Sequence, residues 1–168
     1  MRYFFSPAAR RELRAEIEAQ FAAFVATGLE LHHADAHKHF LLHPTIARLM
    51  IEIGRRYGLK RLRVPAEPPA VMAALGERVT FGDRALYGWT RLLRAQARGL
   101  EVPDQVFGLK WSGHVTAARI ARLLPLVPEG RTEIYTHPAT RRDAALVRLM
   151  PDYEHVAEFE ALLARYRV

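Results

Sequence analysis

Cysteine is absent from the chain, which excludes disulfides, thiolate metal sites and a cysteine nucleophile. No apolar stretch approaches the roughly 20 residues that a membrane-spanning helix needs. The opening Met-Arg-Tyr-Phe-Phe-Ser-Pro carries too short an apolar run for a secretory signal. Internal repeats, low-complexity tracts and a domain linker are also missing. Lysine is scarce: only Lys38, Lys60 and Lys110 occur, and the other basic residues are arginines. Those arginines (Arg10, Arg11, Arg14, Arg55, Arg56, Arg91, Arg94 and Arg98 among them) are scattered along helical segments between Glu and Ala. A nucleic-acid footprint needs instead a concentrated basic stripe with interleaved aromatics. The balance of 25 basic against 18 acidic residues, +7, therefore reads as a solvated arginine-rich surface with no nucleic-acid partner. The same charge permits peripheral contact with anionic lipid headgroups. A cytoplasmic, membrane-peripheral location is the expectation that fits a cysteine-free chain of this charge.

What is present is a globular composition. Half of the 168 residues are apolar, enough for a real core and too few residues for two domains of ordinary size, so one domain over 1–168 is expected. Ser6, Pro7 and Gly28 bracket a first helix whose stripe is Leu13, Ile17, Phe21 and Phe24. Leu29 to Asp35 alternates as a strand does. Pro44 opens a second helix through Ile46, Leu49, Ile53 and Tyr57, and Gly58 ends it. Short strands are predicted at Leu62–Val64, Gln105–Leu109 and Thr132–Thr136. Helices are predicted over Pro68–Leu75, Asp83–Arg98, Thr116–Leu126 and Asp152–Tyr166. This alternation predicts an α/β fold, a partial (β/α) barrel of parallel strands with helical crossovers. Four short strands are too few to close a barrel. The loops at His37, Pro65, Lys110 and His137 each follow a strand's C-terminal end, where such folds place their sites.

Five of the eight histidines fall in one run, His32-His33-Ala34-Asp35-Ala36-His37-Lys38-His39-Phe40-Leu41-Leu42-His43. Several imidazoles together are hard to desolvate and satisfy as core. They are the commonest neutral ligands for a divalent ion. His33, Asp35 and His37 recur at spacing two and share one face if the strand continues, so a metal-binding role is expected for the cluster. The alternative is that some of them are supporting or surface groups; His32 and His43 read as structural. Thr132-Glu133-Ile134-Tyr135-Thr136-His137-Pro138 is a strand running into His-Pro, and the proline biases His137 toward an extended backbone. His137 is the candidate general acid or base. Arg63 either grips substrate or pairs with a carboxylate, Glu67 being the structural choice. Trp111, in Leu109-Lys110-Trp111-Ser112-Gly113-His114, is either a sugar platform or packing.

Four segments taken together, His33-Ala-Asp-Ala-His37-Lys-His39, Arg63-Val-Pro65-Ala-Glu67-Pro68, Gly108-Leu109 with Ser112-Gly113, and Thr132-Glu133 leading to His137-Pro138, resemble the YdjC-like (ChbG) carbohydrate deacetylases. Phe4-Phe5-Ser6-Pro7, Gln20-Phe21-Ala22 and Ala36-His37-Lys38-His39-Phe40 with His43-Pro44 are most like the hopanoid biosynthesis-associated HpnK branch. The resemblance implies a metal-dependent N-deacetylase on a distorted (β/α) barrel, with a Mg- or Zn-type divalent ion. It implies His37 as metal ligand and His137 as the acid that protonates the departing amine. His33, Asp35, His39, Arg63, Glu67 and Trp111 are then the supporting or substrate-contacting candidates. The implied substrate is an N-acetyl amino sugar, in that branch carried on a hopanoid lipid. The family's Ala-Asp-Asp-Phe-Gly strand has no counterpart, and no Asp-Asp pair occurs in the chain. Leu41 stands where the family has a further histidine. The expectation is therefore an N-terminally truncated, C-terminal portion of such a barrel. The alternative is an inactive fragment or a split-enzyme half that binds metal weakly, working with a separate N-terminal chain or as a homo-oligomer.

Overall fold

The computed structural model describes residues 6–166; Phe4 and Phe5 of the motif above lie outside them. Helix α1 (Pro7–Val25) starts on Pro7 and leads to Gly28, which takes a positive φ of 76° that only glycine adopts without strain. Strand β1 (His33–Ala34), a 3-10 turn (His37–Leu42), α2 (Pro44–Arg56) and β2 (Arg61–Leu62) follow. Then come α3 (Pro69–Ala74), α4 (Phe81–Gln96), β3 (Gln105–Phe107), α5 (Ala117–Leu123), β4 (Thr132–Ile134), α6 (Ala144–Leu149) and α7 (His155–Tyr166). No described helix is long and apolar enough to cross a membrane.

Within the span expected as one domain, the chain divides into two compact units, Met1–Pro65 with Gly88–Pro103 and Ala66–Tyr87 with Asp104–Val168. Each contains one β–α–β unit with parallel strands. In the first, α2 links β1 to β2 in the register His33↔Arg61 and Ala34↔Leu62. In the second, α5 links β3 to β4, with Gln105↔Thr132, Val106↔Glu133 and Phe107↔Ile134. The parallel alternation expected from the sequence is therefore present. Among the described residues the strands make two separate two-stranded sheets and no closed barrel.

The first unit is held by apolar packing. Ile17 and Phe21 of α1, Ile46, Leu49, Met50 and Ile53 of α2, Leu62 and Val64 around β2, and Leu93 and Ala97 make one core. The α1 stripe is as the periodicity predicts at Ile17 and Phe21, while Phe24 is partly open to solvent. Tyr57 stacks on Phe21 with ring centroids 5.9 Å apart, and the Trp89 indole N–H donates to the Leu42 carbonyl at 2.8 Å. Arginines face outward in exposed pairs such as Arg14–Glu52 and Arg56–Glu18, interactions that add little to stability singly.

The second unit packs Val71 and Met72 of α3, and Leu75 just after it, with Phe107, Trp111, Val115, Ile120, Leu123 and Ala161. Helix α6, capped by the Asp143 carboxylate accepting from the Leu146 N–H at 2.9 Å, is not among the elements that periodicity predicts. Its exposed Val147 and Leu149 leave it without a clear buried stripe.

Gly54 marks the closest approach within the first core. A Cβ there would lie 2.7 Å from Leu59 Cδ2 and 3.1 Å from the Phe21 ring. Gly54→Val is expected to lower stability by about 1–3 kcal/mol through overpacking, despite a valine's better helix propensity. Chemical denaturation monitored by circular dichroism measures it.

Candidate functional site

The His37 region belongs to the first unit. Arg63 donates its backbone N–H to the Ala34 carbonyl at 3.1 Å, which carries the ladder one step past β1. Its guanidinium meets the Asp35 carboxylate in an ion pair. Ala36 is still extended, and there the chain turns into the 3-10 segment. Lys38 and His39 both take positive φ, 47° and 56°. For non-glycine residues this conformation costs roughly 1–2 kcal/mol each, and such strain gathers at functional loops. His37 and Phe40, on this tight bend, are both exposed. His39 is half-buried. His43 is structural, as expected: its Nδ1 accepts from the Thr45 N–H at 3.2 Å and caps α2. His32 bonds Arg61 at the sheet margin, 2.7 Å away.

His33, Asp35 and His37 do come to one surface. All three line a cavity of about 360 Å³ whose other walls include Phe21, Phe24, Leu31, Phe40, Ile46 and Met50. The cavity is mostly apolar, with the imidazoles and carboxylate at its rim. Among the described residues, no three His, Asp or Glu side chains stand close enough together to hold a metal ion. The rim alone does not fit a chelated cation.

The His137 region belongs to the second unit and is more fully built. Strand β4 delivers Tyr135, buried, and His137, half-buried, with their rings edge-to-face at 5.7 Å. Tyr153 closes the other side, its ring 5.1 Å from His137 and 5.5 Å from His155. Ser112 Oγ and the Tyr153 hydroxyl share a hydrogen bond of 3.0 Å. The His114 ring donates from Nδ1 to the Glu154 carboxylate at 2.9 Å. Gly113, at φ 80°, is the residue that allows this closeness, because a Cβ there would overlap the Tyr153 ring. Beneath the rings lies a buried carboxylate. Glu158, 0% exposed, accepts from the Val115 N–H at 2.7 Å and from the His137 N–H.

The remaining candidates also fall in the second unit. Glu67 holds the loop after β3: its Oε1 accepts from the Gly108 and Leu109 amides and its Oε2 from Lys110, each at 3.1 Å. Burial pushes its carboxyl up from the ordinary range, and the three amides and Lys110 only partly pull it back. Trp111 is no platform. It is 2% exposed, donates its indole N–H to Glu77 at 2.8 Å and lies under the Arg119 guanidinium. The apolar core claims the ring because α3 and α5 close over it. Sequence reasoning missed Tyr153, His155 and Glu158; their only local signal is a Tyr-Glu-His-Val-Ala-Glu stretch, which reads equally as an ordinary helix start.

Comparison with known proteins returns one family. A family model described as YdjC-like protein matches residues 1–165. A carbohydrate deacetylase of Brevibacillus brevis is 38% identical over 58 residues, 34% of this chain and 21% of that protein. A carbohydrate deacetylase of Thermoanaerobacter pseudethanolicus is 23% identical over 128 residues, 76% of this chain and 42% of that protein. The chain thus spans less than half the length of these curated relatives. No solved structure matches it significantly.

Two outcomes follow from the carboxylates of the second unit. Removing Glu67 with Glu67→Ala leaves three partly buried amides unpaired and should cost about 2–4 kcal/mol in denaturant titration. Asp83 accepts from the Thr80 amide and hydroxyl and from Lys110, which hold its carboxyl down at about 2. Because the folded value is depressed, its stabilising contribution is complete above the ordinary carboxylate range and is lost as pH falls toward about 2. NMR titration of the Asp83 carboxyl should find that low midpoint, and Lys110→Met should raise it.

Proposed function

Because the chain belongs to the YdjC-like protein family, we propose that it works as a carbohydrate deacetylase, hydrolysing the acetamide of an N-acetyl amino sugar. The observation that carries this reading is the His137 ring, set at the end of β4 in a wall of Tyr135 and Tyr153 with Ser112 and His114 nearby. Amide hydrolysis adds water to the carbonyl carbon and then breaks the C–N bond, giving acetate and a free amine. The amine nitrogen needs a proton as it leaves, and the half-buried His137 imidazole is placed to supply one. His137 is the acid in this reading. The Tyr135 and Tyr153 rings keep bulk water off one side of it.

His37 is proposed as this chain's ligand to a divalent ion of the Mg or Zn type, which when bound would polarise the acetamide carbonyl and activate water. The described residues do not complete its coordination, and the roles assigned here to His137 do not depend on it. Asp35, ion-paired to Arg63, and His33 and His39 are the groups proposed to steady that loop. A lipid-linked substrate, the glycosylated hopanoid of the HpnK branch, is supported by the apolar cavity at the same rim. The basic surface suits work at an anionic membrane face. In fold terms the two parallel pairs are read as portions of a (β/α) barrel.

A second reading rests on the donor set: among the described residues no three His, Asp or Glu side chains stand close enough together to hold a metal ion, as in a chain that binds metal weakly or draws its other ligands from a partner chain.

Acetate release from N-acetylglucosamine oligomers and from an N-acetylglucosaminyl hopanoid, with and without added Mg or Zn, distinguishes the two. Under the first reading the wild-type chain turns over and His137→Gln lowers kcat by about 100-fold or more, the scale of a lost general acid. Absence of turnover with every metal and both substrates selects the second.

A further inference from the structure

We propose that the first turn of α7 fixes the position of His137, with Glu158 and His155 as positioning residues that grip the backbone of that single residue from both ends. The Glu158 carboxylate takes the His137 N–H. The His155 ring donates from Nδ1 to the His137 carbonyl at 2.6 Å. Both side chains are buried, at 0% and 2% exposure, so neither bond competes with water. A carbonyl only accepts, so His155 carries its proton on Nδ1; its Nε2 is buried with no hydrogen-bond partner among the described residues. A buried imidazole with one nitrogen left over is poor core packing. Here the imidazole serves as a donor aimed at one carbonyl.

The same helix turn reaches the loop after β3. Glu158 also takes the Val115 N–H at 2.7 Å, and the Glu154 N–H donates to the Gly113 carbonyl at 2.7 Å. The Ala139 N–H donates to the His155 carbonyl at 3.1 Å. The loops that carry His114 and His137 are therefore set against each other by α7. A Glu158→Gln change is nearly isosteric, yet it turns one accepting oxygen into an NH₂ that faces an N–H donor. One of the two amides must lose its acceptor.

This inference rests on His137 being the acid, and the test separates the two ideas. Wild type, Glu158→Gln and His155→Phe are compared by amide hydrogen exchange, by NMR of the histidine rings and by acetate release from N-acetylglucosamine oligomers. In Glu158→Gln at least one of the Val115 and His137 amides should exchange about 10-fold faster or more, as a bonded buried amide loses its partner. In both variants the His137 ring signals should shift while those of His33, in the other unit, stay in place. Turnover should show kcat reduced about 10-fold or more with KM within about twofold, the mark of a misplaced catalytic group. If Glu158→Gln does not fold, His155→Phe, which removes only the donor to the His137 carbonyl, carries the ring and rate comparison. Unchanged His137 ring signals in the folded variants overturn the proposal, as does an equal shift across all the histidines of the second unit. If the wild type does not turn over, the deacetylase reading fails, and exchange and ring signals still decide the positioning role.

Discussion

A buried carboxylate bonded to two backbone amides is the interaction on which the second unit depends. Glu158 sits in the first turn of α7, where unpaired helix amides give a positive field that favours an anion. It is wholly out of water, and an isolated charge there would be prohibitively costly. The Val115 and His137 N–H groups meet its two oxygens one each. Apolar packing alone leaves a loop free to slide by fractions of an ångström. A directional bond at each of two loops removes that freedom from the Val115 and His137 main chain.

The motif recurs. Glu67 gathers the amides of Gly108, Leu109 and Lys110, Asp83 takes the Thr80 amide, and Asp104 takes the Arg131 amide at 2.9 Å. Gln105 answers with its amide nitrogen, donating to the Pro128 carbonyl and to Thr132. The strands of this unit are three residues long, too short for their ladders to fix the loops that follow. Side chains reaching from distant elements supply that rigidity. In the first unit the packing of α1 on α2 and the Trp89 bond to Leu42 do more of the work.

This division suits the proposed chemistry. Proton delivery requires a ring held in one place, and the second unit provides a clamped loop between tyrosines. The first unit offers an apolar cavity lined in part by His33, Asp35 and His37. The strained turn at Lys38 and His39 sets His37 at its edge.

Local patterns in the chain determined its helices: Pro7 and Pro44 at helix starts, Gly28 and Gly58 at their ends, and stripes such as Ile17–Phe21 and Ile46–Ile53. They also determined the β–α alternation and hence the parallel pairing, and the alternation of His33, Asp35 and His37 toward one surface. These signals survive in sequence because propensity, capping and periodicity act over a few neighbours. Tertiary structure alone decided that the long predicted strand at Leu29–Asp35 keeps only two ladder residues, that Trp111 is core, and that Arg63 turns to Asp35. It also decided that Glu158 meets amides 43 and 21 residues away. A carboxylate in a helix turn looks the same in sequence whether it faces water or two buried N–H groups, and only the packing of distant segments makes that choice.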